Sequence, residues 1–286
     1  MLREIRDLGF EFAELSHGIR ISLLPGIFQA VEAGEIKISS LHNFCPLPMG
    51  FTSAAPNAFQ FTSSNPRERE SAHRHTLKTL ETAQRVGAGV VVLHMGSIEM
   101  KDYEDKLVDL LGRGLRDSPK FEKVCAEVMQ KQEEKKSEPL ERAGEILTDL
   151  IERASSQGTR LGIENREGLE EIPLDRDFEI FLRQFDSPAV GYWHDTGHAQ
   201  IKQHLGFLHH PSHLENLSPR LIGFHIHDVE FPVRDHRAPG SGTIDFAALR
   251  PMVKPEHVKV FEFSPSLTVE AVQSGVAHIK SLWGTE

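Results

Sequence analysis

An α/β chain closed into a (β/α)8 TIM barrel is the fold this sequence predicts, on three observations. Strand-like and helix-like segments alternate along the chain in seven units, and repeated βα units give parallel sheets with right-handed crossovers. The run Val90-Val91-Val92-Leu93 is apolar without a break, as in a parallel strand covered on both faces. No glycine-rich phosphate fingerprint follows any strand, which speaks against the runner-up, a doubly wound open sheet of the dinucleotide-binding kind. Residues 1–286 are expected to form a single domain, a usual length for such a barrel.

The elements follow in order. Leu2, Ile5 and Leu8 share a helix face that Gly9 stops, and residues 10–15 read as a short strand with Glu14 at its tip. A helix tail ahead of a strand departs from the barrel pattern, so the first barrel strand is expected to be lacking or distorted. Residues 24–33 read as a helix and 36–42 as a strand ending in His42. Pro46, Pro48, Pro56 and Pro66 make residues 44–66 a long loop. A helix over 67–86 closes at Gly87, and the Val90 strand ends in His94. Residues 101–157 interrupt the alternation as a helical insertion of two stretches, with a solvated Lys/Glu-rich face over 130–138. A strand over 161–165 carries Glu164, a helix spans 175–184, and the next strand ends in Asp195. A broken helical region over 199–217 leads into a strand over 221–228. A Pro/Gly-rich loop over 231–243, a strand over 258–263 and a helix over 267–283 complete the chain.

The composition is that of an ordinary globular protein, 39% apolar and 26% charged. A net charge of −10 argues against a polyanion-binding surface, and hence against nucleic acid as partner. Two cysteines, Cys45 and Cys125, provide no disulfide framework and fit a reducing cytoplasm. No run approaches the roughly 20 apolar residues of a membrane span, and no signal peptide precedes the first helix-like residues.

Sixteen histidines stand against two tyrosines, and their placement is informative. Strand after strand ends in a metal-capable or acid–base residue: Glu14, His42, His94, Glu164, Asp195, His225 and Glu262. In a barrel those ends line one rim, where active sites of this fold lie. Alternation along a strand gives Val90, Val92 and His94 one face, and Val258, Val260 and Glu262 another. Gly223, His225 and His227 also share a direction. Ionised groups inside a barrel are costly unless paired or metal-bound. In Tyr192-Trp193-His194-Asp195-Thr196-Gly197-His198 a carboxylate and an imidazole flank one turn, suited to a divalent cation or to an Asp capping the next helix.

The chain resembles the xylose isomerase-like TIM-barrel superfamily, which holds sugar isomerases and epimerases and the endonuclease IV group. The matching segments are Leu93-His94-Met95-Gly96-Ser97, Gly162-Ile163-Glu164-Asn165, Asp195-Thr196-Gly197-His198, His225-Ile226-His227-Asp228, the stretch from His236 through Pro239-Gly240-Ser241-Gly242-Thr243-Ile244-Asp245, and Phe261-Glu262. The resemblance implies that Glu164, Asp195, His225 and Glu262 hold one divalent metal, Zn²⁺ or Mn²⁺, with Mg²⁺ also compatible with the carboxylates. It places His198 at a position that binds substrate in the epimerases and a second metal in the nucleases. His42 and His94 match nuclease ligand positions and are expected to face substrate here. His236 falls where the nucleases place an Asp-x-His pair, but Asp235 and His236 are adjacent, which departs from that pattern. His198, His227 and His236 are the additional metal candidates, with His227 rather a support to the ligand His225. Asp228 is expected to orient the following loop, and Trp193 to fill the core. His194 and the group His204, His209, His210 and His213 are read as packing or surface residues.

The activity the resemblance implies is a metal-dependent isomerisation or epimerisation of a sugar or sugar phosphate through an enediolate. Glu164 and Glu262 would exchange protons with a small polyhydroxy carbonyl substrate. His198 with Arg234 or Arg237 would hold its hydroxyls or phosphate, and residues 229–243 would act as a lid. Two other chemistries use the same rim: a zinc phosphodiesterase of the abasic-site endonuclease type, and a keto-inositol-type dehydratase. A non-catalytic barrel is the reading from another class. A homo-oligomer would cover sheet edges left by a missing strand.

Overall fold

A computed structural model describes residues 1–284. The chain opens with helix α1 (Leu2–Asp7), strand β1 (Phe12–Leu15), helix α2 (Leu24–Glu32) and strand β2 (Lys37–His42). Helix α3 (Pro66–Val86) and strand β3 (Val90–Leu93) follow, then three helices, α4 (Glu104–Gly112), α5 (Pro119–Lys135) and α6 (Ser137–Gln157). The expected insertion is therefore helical, but it holds three helices rather than two. Strand β4 (Arg160–Glu164), helix α7 (Phe178–Arg183), strand β5 (Val190–Asp195) and helices α8 (Thr196–His204) and α9 (His210–Leu217) come next. Strand β6 (Leu221–Ile226) is followed by two short strands, β7 (Asp228–Glu230) and β8 (Arg234–Arg237). Helix α10 (Phe246–Leu249), strand β9 (Val258–Phe261) and helix α11 (Val269–Trp283) end the described chain.

Seven strands form one sheet in the order β1-β2-β3-β4-β5-β6-β9, with the expected parallel pairings. The first is irregular, since its register to β2 shifts between Ala13 and Glu14. The Pro/Gly-rich segment after β6 differs from the expected loop. Its first part is an antiparallel hairpin in which Asp228 pairs with Arg237 and Glu230 with Arg234.

The chain divides into two compact units. In the first, residues 1–97, 138–164 and 181–191, β1 to β4 pair in sequence order and α3 and α6 supply the apolar cover. Helix α3 buries Ala72, Thr76, Leu80 and Ala83, and α6 buries Ala143, Leu147, Leu150 and Ala154, each at helical spacing. Asn65 caps the start of α3 and Gly87, at φ 73°, closes it. In the second unit, residues 98–137, 165–180 and 192–286, the indole of Trp193 fills the core beside Gly223. A Cβ on Gly223 would lie 2.3 Å from that ring, so only glycine fits. No helix among the described residues is long and apolar enough to cross a membrane.

Candidate metal centre

Within the first unit, the ends of β2, β3 and β4 bring His42, His94 and Glu164 together. The Glu164 carboxylate is 1% exposed and lies 2.7 Å from His94 Nε2 and 3.6 Å from His42 Nε2. The two imidazoles meet edge to face, with centroids 4.5 Å apart. The segment after His42 is pinned to α3: Asn43 donates to Thr76 Oγ1 and accepts from Thr79 Oγ1, which itself accepts from the Cys45 amide. Glu14 accepts from Ser40 Oγ.

The second unit gathers Asp195, His225 and Glu262 at the ends of β5, β6 and β9. Parallel pairing sets Asp195 beside His225 and His225 beside Val260, two residues before Glu262. His225 Nδ1 lies 3.4 Å from Glu262 Oε2 and 3.9 Å from Asp195 Oδ2. One donor atom from each of the three falls within 4.8 Å of the others, a spacing and chemistry that fit one divalent ion. Asp195 is also the N-cap of α8, accepting the His198 amide at 2.8 Å. Its backbone is gripped by the Asn165 side-chain amide, which accepts from Asp195 N at 2.7 Å and donates to Asp195 O at 3.0 Å.

The additional candidates form a rim around this trio. His227 Nε2 is 3.0 Å from Asp195 Oδ1, and His198 Nδ1 donates to the Asn165 carbonyl at 2.9 Å. His236 lies between Asp235, at 3.0 Å, and Glu262, at 3.6 Å. Burial lowers the His236 pKa, but these two carboxylates outweigh it and push the value up to about 11, so His236 is an imidazolium at neutral pH. Asp235 is held below its ordinary range because His236 overcomes its own burial. Arg234 and Arg237 both pair with Glu230 across the hairpin, at 3.2 and 3.7 Å. The guanidinium near His198 is instead that of Arg166, 3.4 Å from His198 Nδ1 and paired with Glu171. Its position one residue after Asn165 was the available sequence signal.

The family model of the xylose isomerase-like TIM barrel matches residues 2–281. The chain belongs to that family. No curated protein matches it by sequence. Among solved structures it is similar to a D-tagatose 3-epimerase-like protein, at 17% identity and a TM-score of 0.70, over 98% of this chain and 92% of that one. A 3-keto-D-glucoside 4-epimerase from E. coli is similar at 15% identity and TM-score 0.66, over 98% and 92% of the two chains. An L-ribulose 3-epimerase gives 15% identity and TM-score 0.68 over 98% and 86%.

Of the histidines read as packing or surface residues, His209 is exposed, His204 is half-buried, and the other three pack inside. On the opposite face of β5 from Asp195, His194, His210 and His213 are buried with Tyr192. The Pro232 carbonyl, which only accepts, receives His204 Nδ1–H at 2.7 Å and thereby sets every proton in a chain. Gln200 Nε2 donates to His204 Nε2, His210 Nδ1–H to Gln200 Oε1, His194 Nε2–H to His210 Nε2, Tyr192 O–H to His194 Nδ1, and His213 Nε2–H to Tyr192. Each imidazole in it is neutral, and burial holds the pKa of His194 and His213 low and that of His210 down to about 3. In the unfolded chain these groups titrate near 6.5, so below that pH the unfolded state binds protons that the folded state refuses. Stability should therefore fall from pH 6.5 towards pH 3, by up to about 1.4 kcal/mol per pH unit for each such histidine. Urea midpoints at pH 7 and pH 5 check this: a flat profile would contradict the network, and His210→Gln should make the slope shallower.

Proposed function

We propose that the protein is a metal-dependent sugar isomerase or epimerase. The reading rests on Asp195, His225 and Glu262 converging within the distance one divalent ion spans, beside an imidazolium held at Glu262. The family resemblance of Gly162-Ile163-Glu164-Asn165 implies Glu164 as a fourth ligand. Zn²⁺ or Mn²⁺ suits this mixed carboxylate–imidazole set. Such an ion, when bound, supplies Lewis acidity to a carbonyl and a neighbouring hydroxyl oxygen.

The chain's own groups do the rest. Glu262 and Glu164 are the proton-transfer pair: one carboxylate removes the proton beside the carbonyl, leaving an enediolate, and the other, in its acid form, returns a proton to carbon. Return to the opposite face epimerises, and return to the neighbouring carbon isomerises. The His236 imidazolium keeps Glu262 ionised and ready to accept. His198 and Arg166 face the same side of the second unit and bind substrate hydroxyls; Arg234 and Arg237 are engaged with Glu230. His42 and His94 hold the Glu164 carboxylate. The structural relatives, named as a D-tagatose 3-epimerase-like protein, a 3-keto-D-glucoside 4-epimerase and an L-ribulose 3-epimerase, support a small unphosphorylated sugar as the first substrate class to try.

The test is a panel of ketohexoses and ketopentoses in D₂O, with and without prior chelation. The expected result is epimer formation with deuterium incorporated at the inverted carbon, abolished by EDTA and restored by Mn²⁺ or Zn²⁺. Incision of an abasic duplex without any sugar turnover would overturn the reading.

A further inference from the structure

His227 offers both ring nitrogens to neighbours, and the shorter contacts set its tautomer. The backbone N–H of His236 donates to His227 Nδ1 at 2.9 Å, closer and better placed than the Asp228 carbonyl at 3.5 Å. A nitrogen that accepts a hydrogen bond carries no proton, so the proton of His227 sits on Nε2. That Nε2–H points at Asp195, 3.0 Å from Oδ1 and 3.1 Å from Oδ2. A metal on Nε2 would displace this proton, and a metal on Nδ1 would displace the His236 amide.

The surroundings hold the ring in this orientation. Thr196 Oγ1 donates to the His227 carbonyl at 2.8 Å and accepts from its amide at 3.1 Å. Gly197 leaves the ring its space, since a Cβ there would lie 2.0 Å from His227 Cε1. The His236 imidazole stacks on it, centroids 4.3 Å apart and planes within 6°. His236 is also the one non-glycine residue at positive φ, 53°, among those described. Backbone held in that region by a side chain larger than glycine is costly and persists where its surroundings impose it. Here the turned peptide is the one whose N–H meets His227.

We propose that His227 is a positioning residue and not a metal ligand. Its Nε2–H, fixed by the His236 backbone amide, orients the Asp195 carboxylate, so that the seating of the β7–β8 hairpin is coupled to the metal centre. This rests on the reading of Asp195 as a ligand, and it follows a general pattern in which an outer hydrogen bond aims an inner one. The hairpin that carries His236 thus acts twice: its side chain faces Glu262, and its main chain sets the donor to Asp195.

Two measurements test it. In ¹⁵N-edited imidazole spectra of the metal-free protein, with the His227 signals identified by their loss in His227→Gln, the Nε2–H tautomer is expected. An Nδ1–H tautomer or an imidazolium overturns the proposal, whether or not the protein binds metal. In titrations with Mn²⁺, His227→Ala should weaken affinity roughly 10–100-fold without changing the number of ions bound. His227→Gln, which keeps an N–H donor, should recover most of it. An ion lost per chain in both His227 variants makes His227 a ligand and sinks the proposal. A wild-type chain that takes up no divalent ion refutes the metal reading instead, leaving the tautomer spectrum as judge of this one.

Discussion

Glu262→Gln should lower kcat for sugar epimerisation by about a thousandfold or more while leaving the fold intact. The substitution preserves the shape of a half-buried side chain and removes its charge. Three consequences follow at once from what Glu262 touches. The proton acceptor proposed for the reaction is lost, a role worth some 10²–10⁴-fold alone. One of the three donors of the second unit's trio becomes a weak neutral ligand, so Mn²⁺ affinity falls with activity. The His236 imidazolium loses one of the two carboxylates that hold its pKa up at about 11, so that value should drop towards the ordinary histidine range, with Asp235 still supporting it. Because Glu262 is not part of the apolar core, the thermal midpoint should stay close to wild type. A variant with retained turnover would remove Glu262 from the mechanism. A variant that simply unfolds would mean that its role is structural, and the His236 titration then reports on packing alone.

The parallel strands and their tips were legible in the sequence because they rest on short-range patterns. Val90 to Leu93 has no polar interruption, and Asp195, His225 and Glu262 each stand at the end of a largely apolar stretch. Family motifs then supplied the grouping that no local pattern holds. The hairpin was hidden because Asp228-Val229-Glu230 is too short to show a period, Arg234-Asp235-His236-Arg237 holds no apolar residue, and Pro232 lies between them. The pairing of Arg234 and Arg237 with Glu230 follows from that hairpin and was equally out of reach of local pattern. The histidine chain behind β5 was invisible for a different reason. His204, His210 and His213 lie at no strand tip, and their proton positions depend on the Pro232 carbonyl, a partner chosen by tertiary structure. Arg166 could have been noticed, since it directly follows the Glu164-Asn165 tip.

Asp228→Asn is expected to cost about 3–5 kcal/mol and lower the thermal midpoint by roughly 10 °C, although it changes a single oxygen to nitrogen. Asp228 is fully buried, and its carboxylate reads four backbone amides. Oδ1 accepts from Val229 and Ile244, at 2.8 and 3.1 Å, and Oδ2 from Gly240 and Gly242, at 2.8 and 2.9 Å. An asparagine can satisfy one pair only. Its NH₂ would meet the other two N–H groups donor against donor, and the remaining bonds would lose their charge assistance. Gly242 cannot move aside by accepting a side chain, since a Cβ there already falls 2.4 Å from Asp228 Oδ1. Asp245 supplies the contrast within the same segment. It caps α10 with one bond, to the Ala248 amide at 3.0 Å, and asparagine caps helices about as well as aspartate. Asp245→Asn should therefore cost well under 1 kcal/mol. The two variants carry the same chemical change seventeen residues apart, so net charge and composition cancel between them. Equal stability losses would show that the four-amide cradle contributes nothing. A large loss confined to Asp228→Asn, with activity falling alongside it, would tie the fold of the hairpin and its loop to the centre that His236 completes.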